Sequence, residues 1–542
     1  MTEPRTYSRR RFVRGAVRLG AGAAALAALR PRAASAAPAG PGAPAPVEVL
    51  LADLREASAA DFARGQARDV APVAMGGRAG LRGRAGGVFI SGTLILPFPA
   101  THAGLHWVID AADADALDVE VRTSADARAW APWQPLRIEA VAEDAADREV
   151  FAALAGAAGA RFAQYRATFR SAEPTTLTAM TLTVINSVDG PQGTATTAAA
   201  GPASFPTPEG GSFQVITREG WGCDESLRFR RGSEIWPEMY VPVKKVVLHH
   251  TATSNVYTDG AAEVRAIYAY HAKTLRWGDI GYNSLVDKDG KIYEGRHGRG
   301  EPSATSPTRE ILSADVVAGH VYGHNYGSTG VAALGTFDQE PFDLTNMKAA
   351  IENVVTFECG RHGIDPTGSS DFLKSDGTWH ARLASCSGHS DSYNTECPGT
   401  ALRDYLPDLA RKVYARLNRG TAPTLSPGQD QRAALTAKAT LSFTWSADVT
   451  AFCLEGWHKP SDSENITYLM GFSRPASGEV GHDDQHWWVQ AWSKAEGALP
   501  YTSPPLEAGH YTMHVRNAAG ARANLTYLVN NPATTPTKPG RK

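Results

Sequence analysis

The sequence has no surplus of either charge. Its 54 Lys and Arg face 56 Asp and Glu, a formal net charge of −2. That balance leaves no basic excess to hold nucleic acid or an anionic membrane. Past the N-terminus, no stretch reaches the roughly 18–20 apolar residues that a membrane span needs. The HExxH signature of zinc peptidases is absent, and so is any long internal repeat. Cysteine is scarce, with 5 in 542 residues. What remains is ordinary globular composition, 43% hydrophobic and 20% charged, in a chain too long for one core.

The first residues carry an address. Ser8-Arg9-Arg10-Arg11-Phe12-Val13 is a twin-arginine sequence. An Ala-rich apolar run follows from Ala16 to Leu29, then the small-residue cleavage site Ala34-Ser35-Ala36. That order predicts a signal peptide over 1–36 and export by the twin-arginine machinery, with the mature protein secreted or in cell wall or periplasm. The run is too short and too small-residue to anchor it.

Chemistry concentrates in two distant phrases, Val246-Val247-Leu248-His249-His250-Thr251 and Gly388-His389-Ser390-Asp391-Ser392-Tyr393-Asn394-Thr395-Glu396-Cys397-Pro398-Gly399. His249, His389 and Cys397 make a set of two imidazoles and one thiolate. It is one short of the closed tetrahedron of a structural zinc site, so it reads as catalytic zinc, one ion per chain, with a position left for water. Of the other cysteines, Cys359 and Cys386 flank the segment leading into the second phrase and are the favoured disulfide pair. Cys453 reads as a small buried hydrophobe.

Composition divides the chain. Residues 37–47 are an Ala/Pro/Gly-rich leader. Residues 48–190 alternate in strand fashion, as in Val119, Val121 and Thr123, and read as a β-sandwich accessory domain. Its Trp130 and Trp133 suit either a sugar-binding face or a core. Residues 191–212 are a Thr/Ala/Gly/Pro-rich linker, 213–420 a mixed-sheet α/β domain, 421–432 a second linker, 433–532 a C-terminal β-sandwich and 533–542 a tail. Within the α/β domain helices are predicted over 259–275, 345–359 and 400–417, and strands over 246–248, 282–286, 291–293 and 331–334. His271, on the apolar face of the first helix, reads as a core histidine. Trp487-Trp488 reads as core.

Two further phrases lie between the ligand segments. They are Trp277-Gly278-Asp279-Ile280-Gly281-Tyr282-Asn283, continuing to Asp289-Gly290-Lys291-Ile292-Tyr293-Glu294-Gly295-Arg296, and Gly319-His320-Val321-Tyr322-Gly323-His324-Asn325. In this order the four phrases resemble the type-2 N-acetylmuramoyl-L-alanine amidases, the family shared with peptidoglycan recognition proteins, over residues 213–420. The stretch 48–190 is similar to jelly-roll domains found before bacterial amidase domains. The resemblance implies zinc on His249, His389 and Cys397, with Tyr282 and Thr395 assisting the chemistry. It implies a peptidoglycan substrate, cut between N-acetylmuramic acid and the first L-alanine. His250, Asn283, His320, His324 and Asn325 would contact that substrate, and Trp277 and Arg296 would favour meso-diaminopimelate stems. Arg276 stands where those relatives have glycine. The proton acceptor is left open between a water relay and His250. A wall-binding module without turnover is the competing reading, and the complete ligand set speaks against it.

Overall fold

The computed structural model describes residues 47–299 and 310–417, apart from 76–77, 112, 143–147 and 191–201. In the C-terminal part it describes 424–426, 431–434, 440–457, 480–483, 486–489, 493–495, 500–502, 509–517 and 522–530. The predicted signal peptide, residues 37–46 of the leader and the tail lie outside the described residues.

The N-terminal part is all antiparallel. Its ten strands are β1 (Leu50–Glu56), β2 (Gln66–Met75), β3 (Arg78–Ile90), β4 (Leu94–Asp110), β5 (Leu117–Ser124), β6 (Gln134–Pro135), β7 (Ile138–Ala142), β8 (Arg148–Ala152), β9 (Ala155–Phe169) and β10 (Thr175–Asn186). They run in the order β6-β5-β9-β3-β10-β4-β8-β7, with β1 on β10 and β2 on β3. An extra β4–β9 pairing folds the sheet back on itself around Phe89, Trp107, Val119, Val121 and Tyr165. The period-2 pattern explains this. Leu117, Val119 and Val121 on β5 are buried while Asp118, Glu120 and Arg122 turn outward. Trp130 and Trp133 lie outside that core. Arg122 covers both rings, and Arg166 also covers Trp133.

The second part is a seven-stranded mixed sheet of β11 (Ala203–Pro206), β12 (Ser212–Ile216), β13 (Lys245–His250), β14 (Ser284–Val286), β15 (Ile292–Glu294), β16 (Ser328–Ala333) and β17 (Cys386–Gly388). The order is β11-β12-β15-β14-β16-β13-β17. Helices α1 (Gly260–Ala269), α2 (Thr345–His362) and α3 (Thr400–Leu417) cover it. Alternate strand residues feed opposite faces. Val286, Val331 and Ala333 meet Met347, Ile351, Leu402 and Leu409 of α2 and α3. Leu285, Ala332 and Leu334 meet Val264 and Ile267 of α1.

Four expectations change. The linker 191–212 hides a strand: β11 pairs with β12, and Phe205 packs 5.5 Å from Phe213 and 4.9 Å from Phe357. Its Thr/Ala/Gly/Pro-rich composition masked a short edge strand anchored by one ring. The first helix is α-helical only to Ala269 and continues as a π-helical turn over Tyr270–Thr274. Cys359 and Cys386 form no disulfide. Both are buried cysteines of the same apolar core. In the C-terminal part the linker 421–432 also holds strand residues: Leu425–Ser426 pairs with Ser442–Trp445, and Gln431–Ala434, which begins in it, pairs with Arg522–Asn530. The side chains of Cys453, Trp487 and Trp488 lie outside the description.

The first two parts share a core. Ala140, Phe151, Leu154 and Ile185 pack with Trp221, Val264, Ile267, Tyr268 and Tyr270. Gly104 of β4 permits this approach, since a Cβ there would lie 2.8 Å from the Tyr270 ring. The Tyr270 hydroxyl donates to the Ala152 carbonyl at 2.7 Å. Buried pairing reinforces the seam, with His102 on Glu263 at 2.9 Å. Residues 203–417 alone would bare this apolar face. Such a fragment is expected to bind a hydrophobic dye and to melt below a 47–417 fragment. Equal melting temperatures in calorimetry would show that the seam contributes nothing to stability.

Candidate active site

The site is set by strand register. β13 runs parallel to β17, with Val246 opposite Cys386 and Leu248 opposite Gly388. The next residues on the two strands, His249 and His389, therefore emerge side by side, their ring centroids 4.7 Å apart. His389 opens a 3-10 turn over His389–Asp391, and the Asp391 carboxylate accepts the Gly388 N–H at 2.8 Å. The loop then returns, because Ser390 N–H donates to the Cys397 carbonyl at 2.8 Å. Cys397 Sγ arrives 3.6 Å from His249 Nδ1 and accepts the His250 N–H at 3.3 Å.

The ligand atoms of His249, His389 and Cys397 all lie within 4.8 Å of one another. Among the described residues, this is the one such group of His, Cys, Asp or Glu. The donor set fits zinc. Tetrahedral Zn–N and Zn–S bonds place N and S about 3.6 Å apart, which the Cys397–His249 contact matches. Burial pushes the Cys397 thiol up to about 12. A bound cation is what makes such a thiol a thiolate ligand near neutrality. His249 and Cys397 are buried and His389 is half-buried, so the set opens to solvent on the His389 side.

A histidine orients the first ligand. His249 Nε2 lies 3.0 Å from His320 Nδ1. With Nδ1 turned to the metal position, Nε2 carries the proton and donates it to His320. His320 Nε2 in turn lies 3.3 Å from Ser328 Oγ, whose hydroxyl donates to the His324 carbonyl.

Of the expected assisting groups, Tyr282 is brought in, its ring 5.6 Å from that of His249. Thr395 sits half-buried on the ligand loop, its Oγ1 accepting the Cys397 N–H at 3.3 Å. His250 is turned away from catalysis. Its Nδ1 accepts the Phe337 N–H at 3.4 Å, and burial, with the Arg137 charge in addition, pushes it down to about 3.

The residues expected to touch substrate are mostly committed elsewhere. Arg296 is buried, with its guanidinium 2.6 Å from Asp279, 2.7 Å from the Trp236 carbonyl and over the Trp236 ring. No charge is left there for a diaminopimelate carboxylate. Trp277 is core, against His271 at 4.8 Å. Asn283 donates to the Val316 carbonyl and accepts the Gly330 N–H, both at 2.8 Å. Asn325 accepts the Val321 N–H at 2.8 Å. His324 pairs with His380 at 3.0 Å and stacks on Phe372. In each case a motif residue braces a loop. Arg276 takes a left-handed φ of 60°, the conformation glycine adopts freely.

Other groups escaped the sequence reading. Tyr393, 49% exposed, stacks on His389 at 5.9 Å and lies 6.1 Å from Tyr322. Arg137, from the N-terminal sheet, pairs with both Asp338 and Glu396, next to Phe337 and Cys397. Tyr393 stood in a phrase already singled out. Nothing local marks Arg137, which lies hundreds of residues from its partners.

A family model described as N-acetylmuramoyl-L-alanine amidase matches residues 239–400. Human N-acetylmuramoyl-L-alanine amidase is 29% identical over 208 residues, 35% of this chain and 30% of that protein. Human peptidoglycan recognition protein 3 is 29% identical over 194 residues, 35% of this chain and 45% of that one. The chain thus spans less than half the length of these curated relatives. Among solved structures, Drosophila PGRP-LB is 22% identical, with a TM-score of 0.26 over 35% of this chain and 91% of its own.

Purified protein is expected to carry one zinc per chain, and Cys397→Ala to lose it. His320→Ala should keep the ligands but weaken zinc affinity about 10–100-fold, the usual effect of losing such a partner. Competition against a chromophoric chelator measures both. Unaltered affinity in His320→Ala would leave His320 no orienting role.

Proposed function

We propose, from the premise that residues 239–400 belong to the N-acetylmuramoyl-L-alanine amidase and peptidoglycan recognition family, that this chain is a zinc hydrolase of peptidoglycan. It cuts the amide between the lactyl group of N-acetylmuramic acid and the first L-alanine of the stem peptide. The observation that carries the proposal is the complete His249/His389/Cys397 set with Tyr282 beside it. Export through residues 1–36 by the twin-arginine machinery would bring the enzyme to the wall. No helix among the described residues is long and apolar enough to cross a membrane.

Zinc on His249, His389 and Cys397 would supply Lewis acidity to the amide carbonyl and acidify the attacking water. The chain must do the rest. As water adds, the carbonyl oxygen gains negative charge and needs hydrogen-bond donors. Tyr282 brings a phenol next to the ligand shell. Thr395 is the second donor: its oxygen already accepts the Cys397 N–H, so its own O–H is left to give. His250 does not take the water's proton, since its Nδ1 holds the Phe337 N–H. That leaves a water relay on the solvent side of His389. Collapse breaks the C–N bond, giving a lactyl carboxylate and an L-alanine with a free amine.

Digestion of insoluble peptidoglycan should release stem peptides with new N-terminal L-alanine and no new reducing sugar ends. Chelator should stop it. Tyr282→Phe removes one hydroxyl and little volume. Turnover should fall about 10²–10³-fold, the typical cost of one oxyanion donor, with zinc retained. New reducing ends would mean a glycosidase, and wild-type turnover in the mutant would remove Tyr282 from the mechanism.

A further inference from the structure

His271 is buried in the π-helical turn and belongs to no ligand set. Both of its ring nitrogens are engaged. Nδ1 accepts the N–H of Gly281 at 3.1 Å, and Nε2 lies 2.7 Å from the carboxylate of Glu139 on β7 of the N-terminal sheet. A backbone N–H can only donate, so Nδ1 is bare and Nε2–H is given to Glu139. One tautomer and one ring orientation satisfy both partners. Gly281 immediately precedes Tyr282, and its carbonyl is held by the Gly319 N–H at 3.0 Å. It has no slack, since an added Cβ would lie 3.0 Å from the Trp277 ring and 3.1 Å from the Gly319 carbonyl. The Tyr282 ring then lies between two imidazoles, 5.8 Å from His271 and 5.6 Å from His249.

We infer that Glu139 is a positioning residue for Tyr282, acting across the domain seam through His271 and the Gly281 amide. The inference rests on the hydrolase reading above, in which Tyr282 donates to the oxyanion. The carboxylate fixes the imidazole, the imidazole fixes the peptide entering Tyr282, and that peptide aims the phenol. An accessory sheet thereby completes the catalytic loop of its neighbour. Glue between domains is the simpler role for such a pair, and the seam supplies its own control. His102 and Glu263 form a like pair at 2.9 Å, on β4 and α1 rather than at the Tyr282 loop.

The test compares Glu139→Ala, Glu139→Gln and His102→Ala in the full-length protein. Glu139→Ala should lower kcat about 10–10²-fold, as small misplacement of a reacting group does, with KM and zinc content unchanged. Glu139→Gln keeps an oxygen for Nε2–H and should recover most of the rate. His102→Ala leaves Glu263 buried without its partner, so it should lower the melting temperature while leaving kcat within about twofold. Hydrogen exchange read at the Gly281 amide should quicken in Glu139→Ala and not in His102→Ala. Equal kcat losses in the two alanine variants, or unchanged Gly281 exchange in Glu139→Ala, overturn the inference. Should Glu139→Ala fail to fold, 15N shifts of His271 in the wild type decide instead. An Nδ1–H tautomer there is incompatible with the arrangement. If the wild type releases no L-alanine amines, the hydrolase reading fails, while exchange and tautomer still report on the positioning.

Discussion

The parallel pairing of β13 with β17 is the constraint on which the site depends. A slip of one residue would turn His249 to the opposite face of the sheet. Parallel neighbours also require a long crossover, so α1, α2 and every loop between His250 and Cys386 belong to the connection that closes the ligand set. The ligands emerge at the carboxyl ends of β13 and β17, where open α/β sheets place their sites. β16 lies parallel on the other flank of β13. There Gly330 leaves room, since a Cβ would stand 2.5 Å from His320 Cγ, and His320 reaches the back of His249.

A second constraint is electrostatic. Asp279, Arg218 and Arg296 are fully buried, with Asp279 2.9 Å from Arg218 and 2.6 Å from Arg296. Burial alone would raise the Asp279 carboxyl, but the two guanidiniums outweigh it and hold it well below its ordinary range. The same carboxylate accepts the N–H groups of Ile280 and His297 at 2.8 and 3.0 Å. This knot ties the segment entering Tyr282 to the one leaving β15. A buried charge with one partner removed is costly, so residues of this phrase need not touch substrate to be required.

That distinction explains which parts of the site were legible. His249, His389 and Cys397 could be read because metal ligation constrains residue type directly. Tyr282 came from the family resemblance, and the structure sets its ring beside that of His249. Arg296 could not be read, since its apparent freedom was cancelled by Asp279, and a one-dimensional pattern does not say which charge is already neutralised. Strands β13 to β16 and helices α1 to α3 of the α/β domain followed from apolar periodicity, whereas β12 and β17 did not. β11 did not, because four residues among Thr, Ala, Gly and Pro carry no period, and only the seating of Phe205 on Phe213 makes them a strand.

The domain seam was the least legible feature. Composition suggests a linker over residues 191–212. It says nothing of how much surface the flanking parts bury against each other. The docking surface is made of strand residues such as Phe151, Leu154 and Ile185, which look like any half-buried β pattern. Their partners Tyr268 and Tyr270 look like an ordinary helix face. Yet this apolar seam is continuous with Trp277 and Tyr282. Arg137 reaches past it to Asp338 and Glu396, beside two segments that frame the ligands. The physical unit of the site is therefore the pair of domains. The accessory sheet is a wall of the Tyr282 loop, so a displacement of that sheet is transmitted to the groups around His249.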